Sequence, residues 1–330
     1  MKVSRIKGKI LLGLIAGFAF GALGALNVAA QPTAAGNEAA GNEASVQMVV
    51  TVEAHHSSDA HGSDVPVLDA KDVMVHEGKD RDRVTDWVPA QGDHAGLELF
   101  ILLDDSSGQS VATQWGDIRK FIDEQPSSAR IGVAYMQNGI ARIAQNLTND
   151  HGLSEKALRL PLGIAGGNAS PYFALSDLVK RWPQSTNRRE VLMISDGIDR
   201  YYGSGDLQDP YLSATIDDVQ RAGVIVSAIY SPGAGHFGHS YWQTYWGQLY
   251  LAELADRSGG ESYYIGLTGP PVAFAPYLND LANRLNHQYV LTFVAKPEKK
   301  AGLRRVKVTT EVPNAELIGA DQVYVPAASQ

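Results

Sequence analysis

The chain contains no cysteine. That excludes any disulfide and any lipid anchor carried on a cysteine. It does not fix the compartment, because a protein of this size can bury a core without covalent staples. Basic runs are also missing. Four of the 28 Lys and Arg residues (Lys2, Arg5, Lys7 and Lys9) fall in the first ten positions, which leaves 24 against 36 acidic residues, a net −12. A surface of that sign argues against nucleic acid and anionic lipid as partners. No phosphate loop or dinucleotide glycine pattern appears, and no His-Glu-x-x-His helix. "GHSYW" lacks the second glycine of a nucleophile elbow. His236 and His239 form a His-x-x-His pair in a glycine-rich loop, and His55, His56 and His61 a looser tract. Neither has a third ligand at a telling spacing, so both read as polar loops.

What is present begins with a basic start and an apolar stretch over 10–26, followed by "NVAAQ". This predicts a signal peptide over 1–30 and an extracytoplasmic protein, periplasmic or secreted, with no membrane span once the signal is cut. Residues 31–44, in which "AAGNEA" occurs twice, read as a flexible linker. Residues 45–94 form a small β-rich segment with a turn at Glu77-Gly78 and an apolar face from Val73, Val75, Val84 and Trp87.

From residue 97 the pattern changes to strand–helix alternation. Strands are predicted over 97–103, 130–136, 189–195, 224–230 and 261–265, with a hairpin arm after Asn138-Gly139. Helices are predicted over 112–124, 154–160 (opened by a "SEKA" cap), 171–182, 213–222, 242–258 and 272–286. Within 242–258, the spacing of Trp242, Tyr245, Trp246 and Leu249 predicts a buried face. The fold class is therefore α/β, a doubly wound, mainly parallel sheet over 95–286. Residues 287–327 are expected to add a β-hairpin that packs with the N-terminal segment.

Two of these strands end in acids, "LFILLDDSSG" in Asp104 and "VLMISDGID" in Asp196. In an open α/β sheet, ligands bind beyond the carboxyl ends of the strands. Two carboxylates with hydroxyls there suit a hard divalent cation, Mg²⁺ (or Mn²⁺ or Ca²⁺), which takes oxygen ligands.

These segments, with "GGNASPYFALSDL" between them, resemble the von Willebrand factor type A family over roughly 65–325. The resemblance implies a metal-ion-dependent adhesion site built from a D-x-S-x-S run, a Thr loop and a later Asp, whose shell a partner's acidic side chain completes. Asp104 and Ser106 match the first motif, but Gly108 stands where its second Ser belongs. Ala169 falls at the Thr position, with Ser170 as the substitute and Asn168 beside it. Asp196 matches the last. The implied metal set is thus Asp104, Ser106, Asp196 and Ser170, with Asp105, Ser107 and Asn168 as extra polar groups. Loss of two neutral ligands leaves two outcomes open, a working cation site or a vestigial one whose carboxylates bond helix ends and loop amides.

The expected function is a non-enzymatic protein-binding or adhesion module. The alternative is a metal-independent scaffold or carbohydrate-binding module that uses Tyr- and Trp-rich loops, with Tyr201, Tyr202 and Tyr241 as contacts. A weaker alternative is a hydrolase with an unrecognised site.

Overall fold

The computed structural model describes residues 44–54, 65–164, 169–202, 209–231, 241–263, 273–296 and 300–327. The expected signal, nearly all of the linker, and both histidine groups lie outside them.

Ala44–Ala54 (β1) alternates buried and wet positions through Met48, the pattern of a strand with one face on a core. Val73–Glu77 (β2) and Asp80–Pro89 (β3) follow, joined at Gly78, whose φ of +61° suits glycine. Leu97–Asp104 (β4) is buried along its whole length. Leu99, Ile101 and Leu103 enter one core and Phe100 and Leu102 the other, because successive side chains point to opposite faces. A strand buried on both sides reads as a continuous apolar run.

Trp115–Asp123 (α1) buries Trp115, Ile118, Phe121 and Ile122 as their spacing predicts, after a 3-10 turn over Gln109–Gln114. Arg130–Gln137 (β5) and Ile140–Thr148 (β6) form the Asn138-Gly139 hairpin, both turn residues at positive φ. His151–Lys156 (α2) starts three residues before the expected cap. Ser154 lies inside it and donates its hydroxyl to Ile131 O at 2.8 Å, tying α2 to β5.

Pro171–Lys180 (α3) and Arg188–Ser195 (β7) come next. Pro210–Ala222 (α4) begins earlier than its apolar pattern, because Asp209 caps it and Pro210 fits the first turn. Val224–Tyr230 (β8), Tyr241–Ser258 (α5), Ser262–Tyr263 (β9) and Ala275–Asn286 (α6) complete the α/β part. Among the described residues no helix is long and apolar enough to cross a membrane.

The central sheet runs β6-β5-β4-β7-β8-β9, parallel except for β6. Residues of α1 and α6 fill the core on one face, and residues of α3, α4 and α5 the core on the other. This is the doubly wound sheet that the sequence predicts.

The C-terminal strands are Gln288–Ala295 (β10), Gly302–Arg305 (β11), Lys307–Thr310 (β12), Ala315–Gly319 (β13) and Gln322–Val325 (β14). They do not form the expected hairpin. Both edges of β10 are taken, by β1 and β3, so β12 pairs with β2 and β11 with β14. The N- and C-terminal segments instead share one sheet, β12-β2-β3-β10-β1-β13, around Val46, Val50, Val75, Leu291 and Phe293.

The aromatic stripe of α5 is also corrected. Trp242 is 62% exposed, and Tyr245 and Leu249 are exposed with it, whereas Tyr250, Leu251 and Leu254 are buried. Gly247 sets this rotation. A Cβ there would lie 2.2 Å from Asp196 O, so the helix backbone is pressed onto the turn after β7 along its glycine face.

Candidate functional site

Asp104 ends β4 and Asp196 follows β7, and these strands are parallel neighbours with Leu103 beside Ile194. β5 and β6 lie on one side of β4, while β7, β8 and β9 lie on the other. The winding therefore switches direction between the two acids, which opens a crevice at the carboxyl edge.

Asp104 is held by its own loop and by the neighbouring strand. Its Oδ1 accepts from Ser106 N at 2.9 Å and Ser106 Oγ at 2.6 Å, and its Oδ2 accepts from Ser195 Oγ at 2.8 Å. Asp196, fully buried, accepts from Ile198 N at 3.0 Å on Oδ1 and from Arg200 Nη2 at 2.6 Å on Oδ2. Arg200, with a side chain 17% exposed, pairs with Asp196 and lines the same pocket as Asp104. Burial, and after it the charge of Asp196, push the Asp104 carboxyl above the usual range, against the pull of the Ser106 bonds and Arg200. Burial opposes the charge on Arg200, but Asp196, Asp104 and Asp199 together raise its pKa above the ordinary value.

Ser170 caps α3, accepting from Phe173 N at 3.3 Å and donating to Asp199 Oδ2 at 2.7 Å. Asp199 Oδ1 accepts the N–H groups of Tyr201 and Tyr202 at 2.8 and 2.9 Å. Arg200 N donates to Ala169 O at 3.0 Å, so the loop before α3 and the turn after β7 are sewn together. Asp104, Ser106, Asn138, Ala169, Ser170 and Arg200 are among the residues lining a pocket of about 10 Å³, room for roughly one water.

Asp105 has a different set of partners. Arg159 grips it with two nitrogens at 2.7 and 2.8 Å, Leu162 N donates to it at 2.9 Å, and Gln137 donates a further bond. Burial opposes the charge, yet these bonds hold its carboxyl below the ordinary range. Asp105 O also accepts from Gly163 N at 2.9 Å. Its task is to hold the loop that carries Leu160, Leu162 and Ile164, the last 74% exposed. Ser107 Oγ is buried with no hydrogen-bond partner among the described residues. Asn168 and the side chain of Tyr241 lie outside the described residues.

This donor set does not fit Mg²⁺, Mn²⁺ or Ca²⁺. Among the described residues no three His, Asp or Glu side chains converge as ligands. Ser106 is engaged with Asp104 and Ser170 with Asp199, and positions 108 and 169 bring no hydroxyl. The guanidinium already places a permanent positive charge on Asp196. A divalent ion would have to displace it or sit against it. The vestigial outcome of the sequence reading is the one this geometry favours.

Sequence reasoning missed Arg200, Asp199, Ser195 and Arg159. The "SDGIDR" run did carry a signal, an Asp and an Arg four residues apart across a glycine turn.

No protein-family model and no curated protein matches the chain. Solved structures similar to it include an aerotolerance-related membrane protein from Bacteroides fragilis NCTC 9343, 14% identical, covering 58% of this chain and 99% of that one, with a TM-score of 0.42. A von Willebrand factor type A protein from Catenulispora acidiphila is 11% identical over 89% of this chain and 76% of that one, with a TM-score of 0.40. The SpRpn10 VWA domain is 16% identical over 56% and 93%, with a TM-score of 0.35.

Proposed function

We propose that the chain is an exported, non-enzymatic protein-binding module whose contact surface is the rim around Asp104, Asp196 and Arg200, and that its binding needs no divalent cation. The observation that carries this reading is the Arg200 guanidinium, 2.6 Å from Asp196 Oδ2 and raised in pKa by Asp104 as well. An internal cation takes the place that the resemblance gives to a metal ion.

The rim offers the apolar area that a protein partner uses. Leu162 is 58% exposed and Ile164 lines the pocket on one side; Tyr201, 48% exposed, and Tyr202 stand on Asp199, beside Ser170. Exposed apolar side chains around a polar centre mark interaction sites, and tyrosine combines large area with a polar tip. The rings of Phe173, Tyr201, Tyr202 and Tyr211 pack on one another at steep angles, from 56° for Phe173–Tyr201 to 84° for Tyr202–Tyr211. Such a cluster lacks the flat open platform on which a sugar ring stacks, which favours protein over carbohydrate. Ser106 donates to Asp104, and among the described residues the pocket lining has no histidine or lysine to activate it as a nucleophile, which favours binding over hydrolysis.

The test is capture from an envelope extract on the immobilised chain, with Mg²⁺ or with chelator. A Leu162→Asp/Tyr201→Asp variant of unchanged melting temperature serves as control. The reading expects the same captured protein in both buffers and its loss on the variant. Capture that chelator abolishes, or that the variant retains, would reject it.

A further inference from the structure

We infer that the cleft between β6 and the C-terminal turn of α3 is a binding site for a small organic carboxylate with an aromatic or branched apolar body. It lies at the other end of the sheet from Asp104, where Glu98 and Arg130 are register partners at the start of β4 and β5. The proposal is independent of the rim.

The cavity measures about 180 Å³, and its walls are mostly apolar, from Phe100, Leu147, Leu178 and Trp182. Those walls are fixed. The Trp182 indole meets the Phe100 ring edge-on at 4.8 Å, and its Nε1 donates to Glu98 Oε2 at 2.7 Å. Glu98, with no exposed side-chain surface, also accepts from Arg130 Nη1 at 2.8 Å and Asn187 Nδ2 at 3.4 Å. The buried acid is thus fully bonded and anchors both the indole and the guanidinium.

The polar part of the lining is cationic. Arg130 and Arg181 both face the cavity. Arg181 Nη2 donates to Asp177 and to Ala141 O at 2.5 Å. The hydrogen bonds of Arg130 run through Nη1 and those of Arg181 through Nε and Nη2, so each guanidinium keeps N–H groups for a ligand. Arg189 is also close enough for Glu98 to favour its charge, though burial holds its pKa below the ordinary value. Arg130 and Arg181 each pair with one carboxylate, Glu98 and Asp177, so a ligand acid would be held by the remaining guanidinium N–H groups and not by surplus charge. Guanidinium forks match carboxylates in shape as well as in sign. The volume is below that of drug-sized sites, which suits a ligand of roughly ten heavy atoms.

The probes are phenylacetate and its neutral analogue phenylacetamide, titrated into the full chain and followed by amide NMR shifts. Phenylacetate should saturate with a dissociation constant of about 1 mM, ordinary for a ligand this small, and the amide should bind about tenfold more weakly. Shifts should centre on residues 130, 143, 178 and 182. Arg181→Gln, at a partly exposed side chain, should weaken the acid about tenfold. Ile143→Trp, which fills the cleft from the edge strand without changing charge, should abolish binding. Both variants are checked for an unchanged urea midpoint. The proposal is overturned if phenylacetate shows no saturable shifts by about 20 mM, if acid and amide bind alike, if folded Arg181→Gln binds the acid as tightly as the wild type, or if binding survives folded Ile143→Trp.

Discussion

Arg200 Nη2 lies 2.6 Å from Asp196 Oδ2, four residues apart in the turn that follows β7, and both groups are largely hidden from solvent. Removing one member of such a pair strands the other. Arg200→Ala should lower unfolding stability by about 2–4 kcal/mol, allowing for the residual exposure of the guanidinium, as read from urea midpoints at constant m-value. A loss under about 0.5 kcal/mol, the level of an ordinary surface substitution, would mean that the pair does not hold the turn.

The same pairing bears on metal ions. A site with a dissociation constant of about 0.1 mM would raise stability by about 2.7 kcal/mol in roughly 10 mM Mg²⁺. The wild-type chain should show no such shift in its melting temperature, and calorimetric titration with Mg²⁺ or Mn²⁺ should be flat. Saturable heat from the wild type would contradict the fit argued from Arg200, Gly108 and Ala169.

Glu190 gives the fold a pH dependence. It is buried on β7; burial raises its pKa from 4.5 to about 7, although Gln288 donates to it and Arg188 and Arg284 lie near. The folded chain therefore binds this proton more tightly than the unfolded chain does. The stability gained is complete below about pH 4.5 and is lost as pH rises to about 7, on the order of 3 kcal/mol. Glu190→Gln should match the wild type near pH 4.5 and exceed it at pH 8. Parallel curves for the two proteins between those limits would show that Glu190 does not titrate in this window.

Asp105 predicts a local effect. With Asp105→Ala, Arg159, Leu162 N and Gln137 lose a shared acceptor. The expected cost is about 2–3 kcal/mol, discounted because Arg159 is 39% exposed. Hydrogen exchange should show amides of 159–163 opening first. The rim reading adds that partner capture weakens too, because this loop presents Leu160, Leu162 and Ile164.

Gly247→Ala tests close approach. On an exposed helix alanine would be the better residue, but here its Cβ meets Asp196 O at 2.2 Å. The net effect should be a loss of about 1–3 kcal/mol, measured by thermal or urea unfolding. A gain would show that α5 can lift off the turn at no cost.

The sequence made the strands of the α/β sheet legible because a doubly buried strand must be a continuous apolar run, as in β4 and β7. It made Asp104 and Asp196 legible because each ends such a run. It hid what surrounds them. Arg159 reaches Asp105 across 54 positions, a contact that no local pattern encodes. Helical spacing marked the Trp242 stripe as one face of α5 and turned it inward, but Gly247 faces the turn after β7 and leaves the stripe outward. The C-terminal segment looked like a hairpin because neighbouring strands often pair. Here β1 and β3 take the two edges of β10, so the strand that follows it finds none free.

That last arrangement has a consequence for how the molecule comes into being. Gln47 of β1 faces Thr292 of β10, 245 positions away. β1 therefore emerges from the ribosome without either neighbour and must wait, unpaired, until β10, 245 positions further on, has been made. Contacts that distant in sequence form slowly, and an unclaimed strand edge invites association with other chains. A polypeptide that ended before β10 would leave β1 with no mate, so termination ahead of β10 should yield an aggregating product and not a shortened but working one.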